Sequence, residues 1–466
     1  METRIQGILG RLSAFDCLLR WRMRLWGSLL ALLLPAMQFL RNISSGPLYN
    51  LNDIGGWDQR KQFLLLAMGV HAFVLLILVW RHRAGGGRLL LRMGLLLIGF
   101  EISLLAINQK TYAFVQTLQP MIRTMERDGF AAASGSLSIP MQALIALIAR
   151  FPVYAMYPLK LFAIASYQLL CLLATEEAER RRPSGVTAEL VLLLGLILPQ
   201  GFLCAACACQ PEVFAMLLLA LSLRLRGTAR GALLFGLSAS LSGVCLLALP
   251  WVLSERGRGG KQVGLAALGY VLPMLPGIAL GVPAPKAMLS PLSVLLGVPP
   301  YATGSPSLFS FFPRAAIEEM PEYAMLSRVA QIDWEAVSPF YTQAHFVQLM
   351  HGLALMGLAC FVCLAASAKP KGRLEKAVML SAAALFFAPG ASMGAWLAVD
   401  LLCLLAFVFL PRLRLPSALI LFSTAAGCAY PVAQETLVPP AMNAALLVLA
   451  LALLWGLIPS TRKEDA

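Results

Sequence analysis

An all-α, polytopic membrane protein is the fold class this sequence predicts, and three observations predict it. The 466 residues are 59% hydrophobic and only 13% charged, against about a quarter charged in ordinary soluble domains. Mean hydropathy is +0.76. Basic residues collect in short breaks between apolar runs, the pattern by which a multipass protein orients itself. So little charge cannot cover a water-facing surface of this size, which excludes a soluble enzyme, a disordered chain and, despite the net charge of +14, a nucleic-acid binder.

Each apolar run is a candidate helix. The runs fall at 26–40, 62–80, 89–107, 157–174, 188–206, 211–224, 231–243, 244–253, 263–282, 345–367, 377–389, 394–410, 417–431 and 441–458. About 12–14 spans are expected, some as half-helices, because several runs fall short of the roughly 17 residues a crossing needs. Residues 1–25 carry Arg4, Arg11, Arg20, Arg22 and Arg24 before the first run. An interfacial, cytoplasmic arm is expected there instead of a cleaved leader. With later clusters at 81–92, 180–182, 224–230, 256–261, 369–376, 412–414 and 462–463, 26 of the 37 basic residues share one face if both termini are cytoplasmic.

Two readings make that orientation work. Residues 139–151 form an apolar run of 13, too short to cross about 30 Å at about 1.5 Å per residue; a short helix at the external interface is expected. Residues 231–253 are interrupted by Ser240, Ser242 and Gly243 and read as a tight in-and-out pair. Such a break is tolerated at membrane depth only where protein or a wet cavity satisfies the freed backbone groups. Two long external segments remain, 108–156 and 283–344, the second with an acidic excess at Glu318, Glu319, Glu322, Asp333 and Glu335. The chain divides accordingly into an arm and two-helix extension (1–88), a core with both external loops (89–410) and a carboxy-terminal hairpin (411–466).

The core carries a series of local motifs: Asp128-Gly129-Phe130, Ile139-Pro140, Tyr157-Pro158-Leu159-Lys160-Leu161, Leu198-Pro199 with Gln210 and Glu212, Phe235-Gly236-Leu237 through Leu249-Pro250, and Ser305-Pro306-Ser307-Leu308-Phe309. In order and spacing they resemble the motifs of the GT-C superfamily of membrane glycosyltransferases, closest to bacterial proteins related to the second mannosyltransferase of GPI-anchor synthesis. Asp128-Gly129-Phe130 resembles the Gly-Gly-Phe ending that family's loop helix, and Ile139-Pro140 its Pro-Pro-Tyr segment. Tyr157-Pro158-Leu159-Lys160-Leu161 resembles Leu-Ile-Lys-Leu; Leu198-Pro199 followed by Gln210 and Glu212 resembles Leu-Pro followed by Trp-Gly-Gln-Cys-Asp. Phe235-Gly236-Leu237 through Leu249-Pro250 is similar to the paired half-helices, and Ser305-Pro306-Ser307-Leu308-Phe309 to Ala-Pro-Asn-Leu-Tyr.

The resemblance implies transfer of a hexose from a polyprenyl-phosphate donor on the external or lumenal face, with no metal and no further cofactor. It implies a catalytic role for Glu212 and donor or acceptor contacts from Thr111, Tyr112, Lys160, Gln210, Ser242, Ser305, Ser392 and Asp400. The partners implied are the bilayer and the lipid-linked sugar, in a bacterial cytoplasmic membrane sooner than an endoplasmic reticulum. Departures from the pattern support a second expectation. Thr111 stands where the family's first-loop carboxylate would act as base, and a threonine takes no proton near neutral pH. Ser242 replaces a lysine, and Ser392-Met393-Gly394-Ala395 replaces His-Glu-Arg-Tyr, whose Arg and His would bind phosphate through charge-assisted bonds. A catalytically silent relative, binding lipid or a membrane-protein partner, is the alternative. A lipid or solute transporter is a third reading, opposed by the lack of visible internal repeats.

Plainer readings stand beside these. A carboxylate at Glu212 suits the start of a helix. Asp400, inside a span, suits a structural hydrogen bond as well as a functional role, and Glu101 snorkelling or an inter-helix bond. Cys204, Cys207 and Cys209 read as packing or a disulfide sooner than as a metal site, with no histidine near in sequence. Orientation is directly testable: cysteines introduced at Ser136 and Ser184 in an otherwise cysteine-free chain should be labelled from opposite sides of the membrane. Labelling of both from one side would refute it.

Overall fold

The computed structural model describes residues 22–41, 57–81, 86–111, 114–133, 137–182, 187–249, 259–296, 305–311, 351–360, 373–389, 391–429, 432 and 437–457. Among them there is helix and turn but no strand. In chain order the helices are α1 (Arg22–Arg41), α2 (Trp57–Arg81), α3 (Gly86–Leu104), α4 (Gln119–Asp128), α5 (Ile139–Ile148), α6 (Met156–Arg181) and α7 (Thr187–Ile197). There follow α8 (Pro199–Cys207), α9 (Glu212–Arg224), α10 (Ala229–Leu241), α11 (Gly259–Val271) and α12 (Ala284–Leu296). The last are α13 (His351–Cys360), α14 (Arg373–Phe387), α15 (Met393–Phe409), α16 (Arg414–Gly427) and α17 (Pro440–Leu457).

Among the described residues, four helical stretches are long and apolar enough to cross a membrane: α1, Asp58–Arg81, α6 and Gly260–Ala279. A fifth arises if α7 and α8 count as one span broken at Leu198. Six shorter apolar helices among the same residues, α5, α10 and α15 included, run 10–17 residues. The described residues are thus all-helical, with several membrane-length apolar helices. By packing it forms two compact units, one of residues 1–108 with 151–197 and one of 109–150 with 198–466. That grouping is drawn from contacts and follows other lines than the three segments read from the sequence.

In the first unit, α2, α3, α6 and α7 pack together, and α1 lays Gly27 against Val79 and Leu89. Ring contacts join Phe63 to Tyr157 edge-on at 5.6 Å and stack His71 on Phe100 at 4.3 Å. Glu101 has the charge of Arg41, at the end of α1, as its neighbour, in keeping with an inter-helix attraction. The stronger ties are polar. Arg92 on α3 is 2% exposed and donates to Glu189 of α7 at 2.9 and 3.1 Å and to Glu179 of α6 at 3.1 Å. One turn of charge away, Arg81 at the end of α2 grips Glu176 of α6 through two contacts of 2.7 and 2.9 Å. A cavity of about 20 Å³ opens between these pairs, lined by Leu78, Arg81, Arg92, Thr175, Glu176 and Glu179 among others; that is room for one water.

In the second unit the expected short helix is present as α5. Ser138 starts it, its Oγ accepting from the Met141 amide, and Pro140 occupies the first turn. Gly129, at φ 88°, ends α4 in a left-handed conformation that a side chain would strain. The break expected at Ser240–Gly243 is also present: α10 stops at Leu241, Ser242 is extended, and Gly243–Ala248 continues as a 3-10 turn. The returning part of the in-and-out pair runs into residues outside those described. Helices α10 and α11 pack backbone to backbone. A Cβ on Gly236 would lie 2.0 Å from the Ala266 carbonyl, and one on Gly269 2.3 Å from that of Leu233, the small-residue contact by which apolar helices associate.

Removing one partner of a buried ion pair leaves the other unpaired, at a cost of about 3–5 kcal/mol. Arg92→Met should therefore lower the thermal unfolding midpoint sharply in detergent or nanodiscs. Adding Glu189→Leu should restore part of it, since the remaining partner Glu179 is 22% exposed and can hydrate. An unchanged midpoint in the single variant would contradict the role given to Arg92.

Candidate functional site

Helix α15 organises the candidate site. Ser392 immediately precedes it, and Ser392, Trp396 and Asp400 recur every fourth residue, which places them along one face. Each meets a different element of the second unit. At the start of α15, Ser392 lies beside the Glu212 carboxyl of α9. A Cβ added at Gly394 would meet Gln210 Cβ at 3.0 Å, Glu212 Cβ at 3.1 Å and Glu212 Oε2 at 3.3 Å. The carboxylate therefore sits against a helix N-terminus, where the peptide dipoles favour negative charge. Glu212 Oε2 and Ser392 Oγ are both buried with no well-formed hydrogen bond among the described residues.

One turn on, Trp396 is fully buried and its Nε1 donates to Ser305 Oγ at 2.9 Å. Ser310 Oγ donates to the Ser305 carbonyl at 2.8 Å, so the segment 305–311 closes over α15 through its own turn. A further turn in, Asp400 is 1% exposed. Its Oδ1 accepts from Thr424 Oγ1 of α16 at 2.7 Å, and Thr424 in turn accepts from Gln200 Nε2 of α8 at 3.0 Å. Asp400 Oδ2 and Gln200 Oε1 have no partner among the described residues.

Of the residues singled out in sequence, Gln210, Glu212 and Ser392 are thus brought together, while Ser305 is held by Trp396 one turn further along α15 and Asp400 lies on the turn after that. The others that are described make contacts of their own. Thr111 is 1% exposed, its Oγ1 is without a partner among the described residues, and its carbonyl accepts from the Val115 amide. Ser242 is buried at the break after α10, beside Gly243, whose position leaves no room for a Cβ against the Pro291 carbonyl of α12. Tyr112 and the acidic stretch 318–335 lie outside the described residues. Lys160 belongs to the first unit. It is wholly buried and its Nζ donates to the carbonyls of Ala106 and Ile107 at 3.0 and 3.2 Å, just past the end of α3.

Asp128, the last residue of α4, is paired side by side with exposed Arg127 at 2.8 and 2.9 Å; the carboxylate holds that guanidinium above its usual range. No group of three or more His, Cys, Asp or Glu among the described residues is arranged to hold a metal ion. Sequence reasoning passed over Trp396, Thr424 and Gln200. A spacing of four from Ser392 to Asp400 was the available signal for Trp396. For Gln200, it was a lone amide in an apolar run directly after Pro199.

Comparison with models of protein families, with curated proteins and with solved structures finds no match for this chain.

The packing at Gly394 can be checked by a double-mutant cycle. Gly394→Ala is expected to cost about 1–3 kcal/mol of stability, the usual range for overpacking. Glu212→Ala keeps both Cβ contacts and removes only the one with Oε2, so it should absorb part of that cost, a coupling of about 0.5 kcal/mol. Strictly additive effects would show that Glu212 does not pack on Gly394.

Proposed function

We propose that the protein is a GT-C-like membrane glycosyltransferase, transferring a hexose from a polyprenyl-phosphate donor at the outer face of a bacterial cytoplasmic membrane. In this reading the chain crosses the bilayer about 12–14 times with both termini cytoplasmic. Glu212 takes the proton from the acceptor hydroxyl, and Ser392, Gln210 and Ser305 bind the polar parts of donor and acceptor. The observation that carries it is the pairing of Glu212 with Ser392. Two side chains 180 residues apart in sequence meet with their buried oxygens, neither of which makes a well-formed hydrogen bond among the described residues. A buried polar atom left unsatisfied costs about 1–3 kcal/mol, and such atoms call for an explanation in function.

A second reading, a catalytically silent relative that binds lipid or a membrane-protein partner, has its own support. The contact of Glu212 with Gly394 at a helix start and the bond from Thr424 to Asp400 give both carboxylates structural work. Lys160 is taken up by backbone carbonyls. No arginine or histidine replaces the residues that would hold the donor phosphate at Ser392–Ala395.

A transfer assay in membranes supplied with polyprenyl-phosphate hexoses separates the two. The enzyme reading expects measurable transfer in the wild-type protein. It expects a loss of about 10²–10⁴ in rate for Glu212→Gln, the usual worth of general-base assistance. Absence of transfer would favour the silent reading. Brisk transfer unaffected by Glu212→Gln would move the chemistry away from this site.

A further inference from the structure

Two cysteines that lie 224 residues apart in sequence face each other in the second unit. Cys204 Sγ of α8 and Cys428 Sγ at the end of α16 are 3.3 Å apart, and both residues are 0% exposed. Their opposition follows from the packing one turn earlier. Gln200, four residues before Cys204, donates to the Leu421 carbonyl at 2.6 Å and to Thr424 Oγ1 at 3.0 Å. Thr424 lies four residues before Cys428, and the Cys428 amide donates back to the Thr424 carbonyl at 3.0 Å. Gln200–Thr424 and Cys204–Cys428 are thus successive rungs between the same two helices. The first rung fixes the register and the second holds the thiols opposed.

We propose that Cys204 and Cys428 are joined by a disulfide in the mature protein. A formed bond needs the sulfurs at about 2.03–2.05 Å, so closure requires an approach of only about 1.3 Å from the observed contact. The proposal rests on the orientation read from the basic clusters. The helical run ending in α8 starts just after the arginines at 180–182, and α16 starts at Arg414. Both runs therefore lead away from the cytoplasm, and both cysteines arrive at the far face, where disulfides form and persist.

Neither sulfur is exposed once the helices have packed, so oxidation precedes the final closing of α8 on α16. The chemistry is exchange with a carrier disulfide, of the dithiol–disulfide class, on that face. One protein thiolate attacks a carrier sulfur, forming a mixed disulfide and releasing one carrier thiol. The second protein thiolate then displaces the other carrier sulfur. In sum the two protein thiols lose two protons and two electrons, and the carrier disulfide becomes two thiols.

The test uses the full-length chain in host membranes, quenched with acid, denatured, and blocked with N-ethylmaleimide before any reduction. Mass spectrometry of the non-reduced digest should yield the Cys204 and Cys428 peptides linked, with both positions alkylated only after reductant. Cys204→Ala should leave Cys428 alkylated at once. Reductant should lower the unfolding midpoint of the wild type and leave that of Cys204→Ala unchanged. Alkylation of both cysteines without reductant overturns the proposal, as does a link from Cys204 to Cys207 or Cys209. Labelling at Ser136 and Ser184 separates causes of failure. A reduced pair with the expected labelling refutes the disulfide alone; a reduced pair with inverted labelling refutes the orientation as well.

Discussion

Hydrocarbon offers no hydrogen bonds, and the rest of this structure depends on that constraint. Where a helix runs unbroken the backbone satisfies itself; where it breaks, something else must reach the freed carbonyls. Long polar side chains do so here. Lys160 covers the carbonyls of Ala106 and Ile107 beyond α3, Tyr167 donates to Gly195 near the end of α7, and in the second unit Ser138 donates to Leu241, where α10 stops. Gln168, Gln200 and Ser423 add bonds between helices, to the carbonyls of Leu96, Leu421 and Asn443 within unbroken turns. Side chains that look like stray polarity in the sequence are the means by which a fragmented set of helices holds together.

The same constraint explains how the candidate site is laid out. α15 is apolar except along one face, and each polar group on that face lies opposite a different element. Ser392 meets the start of α9, Trp396 meets the segment around Ser305, and Asp400 meets α16 next to the fragment α8. The outermost contact joins the starts of two helices, where unpaired amides gather. Site and scaffold are therefore made from the same kind of interaction, which is why Glu212 serves both a catalytic reading and a structural one.

Much of this was legible in the sequence. Apolar runs and sparse charge declare the helices. A run of 13 residues was too short to span and is a ten-residue helix, and Ser240–Gly243 marks a real interruption. Register and partners were not legible. The run 188–206 reads as one helix, yet Pro199 divides it, because a proline tolerated in a membrane helix and one that breaks it look alike until the neighbours are known. Helix α6 extends to Arg181, past the apolar run ending at 174, because Glu176 and Glu179 find arginines on other helices. Pairing of Gln200 with Thr424 joins positions 224 apart, and no local periodicity encodes a distance of that kind.

One consequence concerns the order in which the chain is made. The first unit is assembled from two stretches, and 109–150, a part of the second, is synthesised between them. Arg92 is translated 87 residues before Glu179 and 97 before Glu189. An arginine centred in hydrocarbon without a partner costs at least about 2.5–3.5 kcal/mol, so in that interval α3 must keep its basic end in the wet interface, as a long side chain allows. Final seating of α3 therefore waits for residue 189. Only then do the helices on either side of the inserted loop close as a set, and a protein truncated before α6, which carries Glu179, is left with a cation it cannot bury.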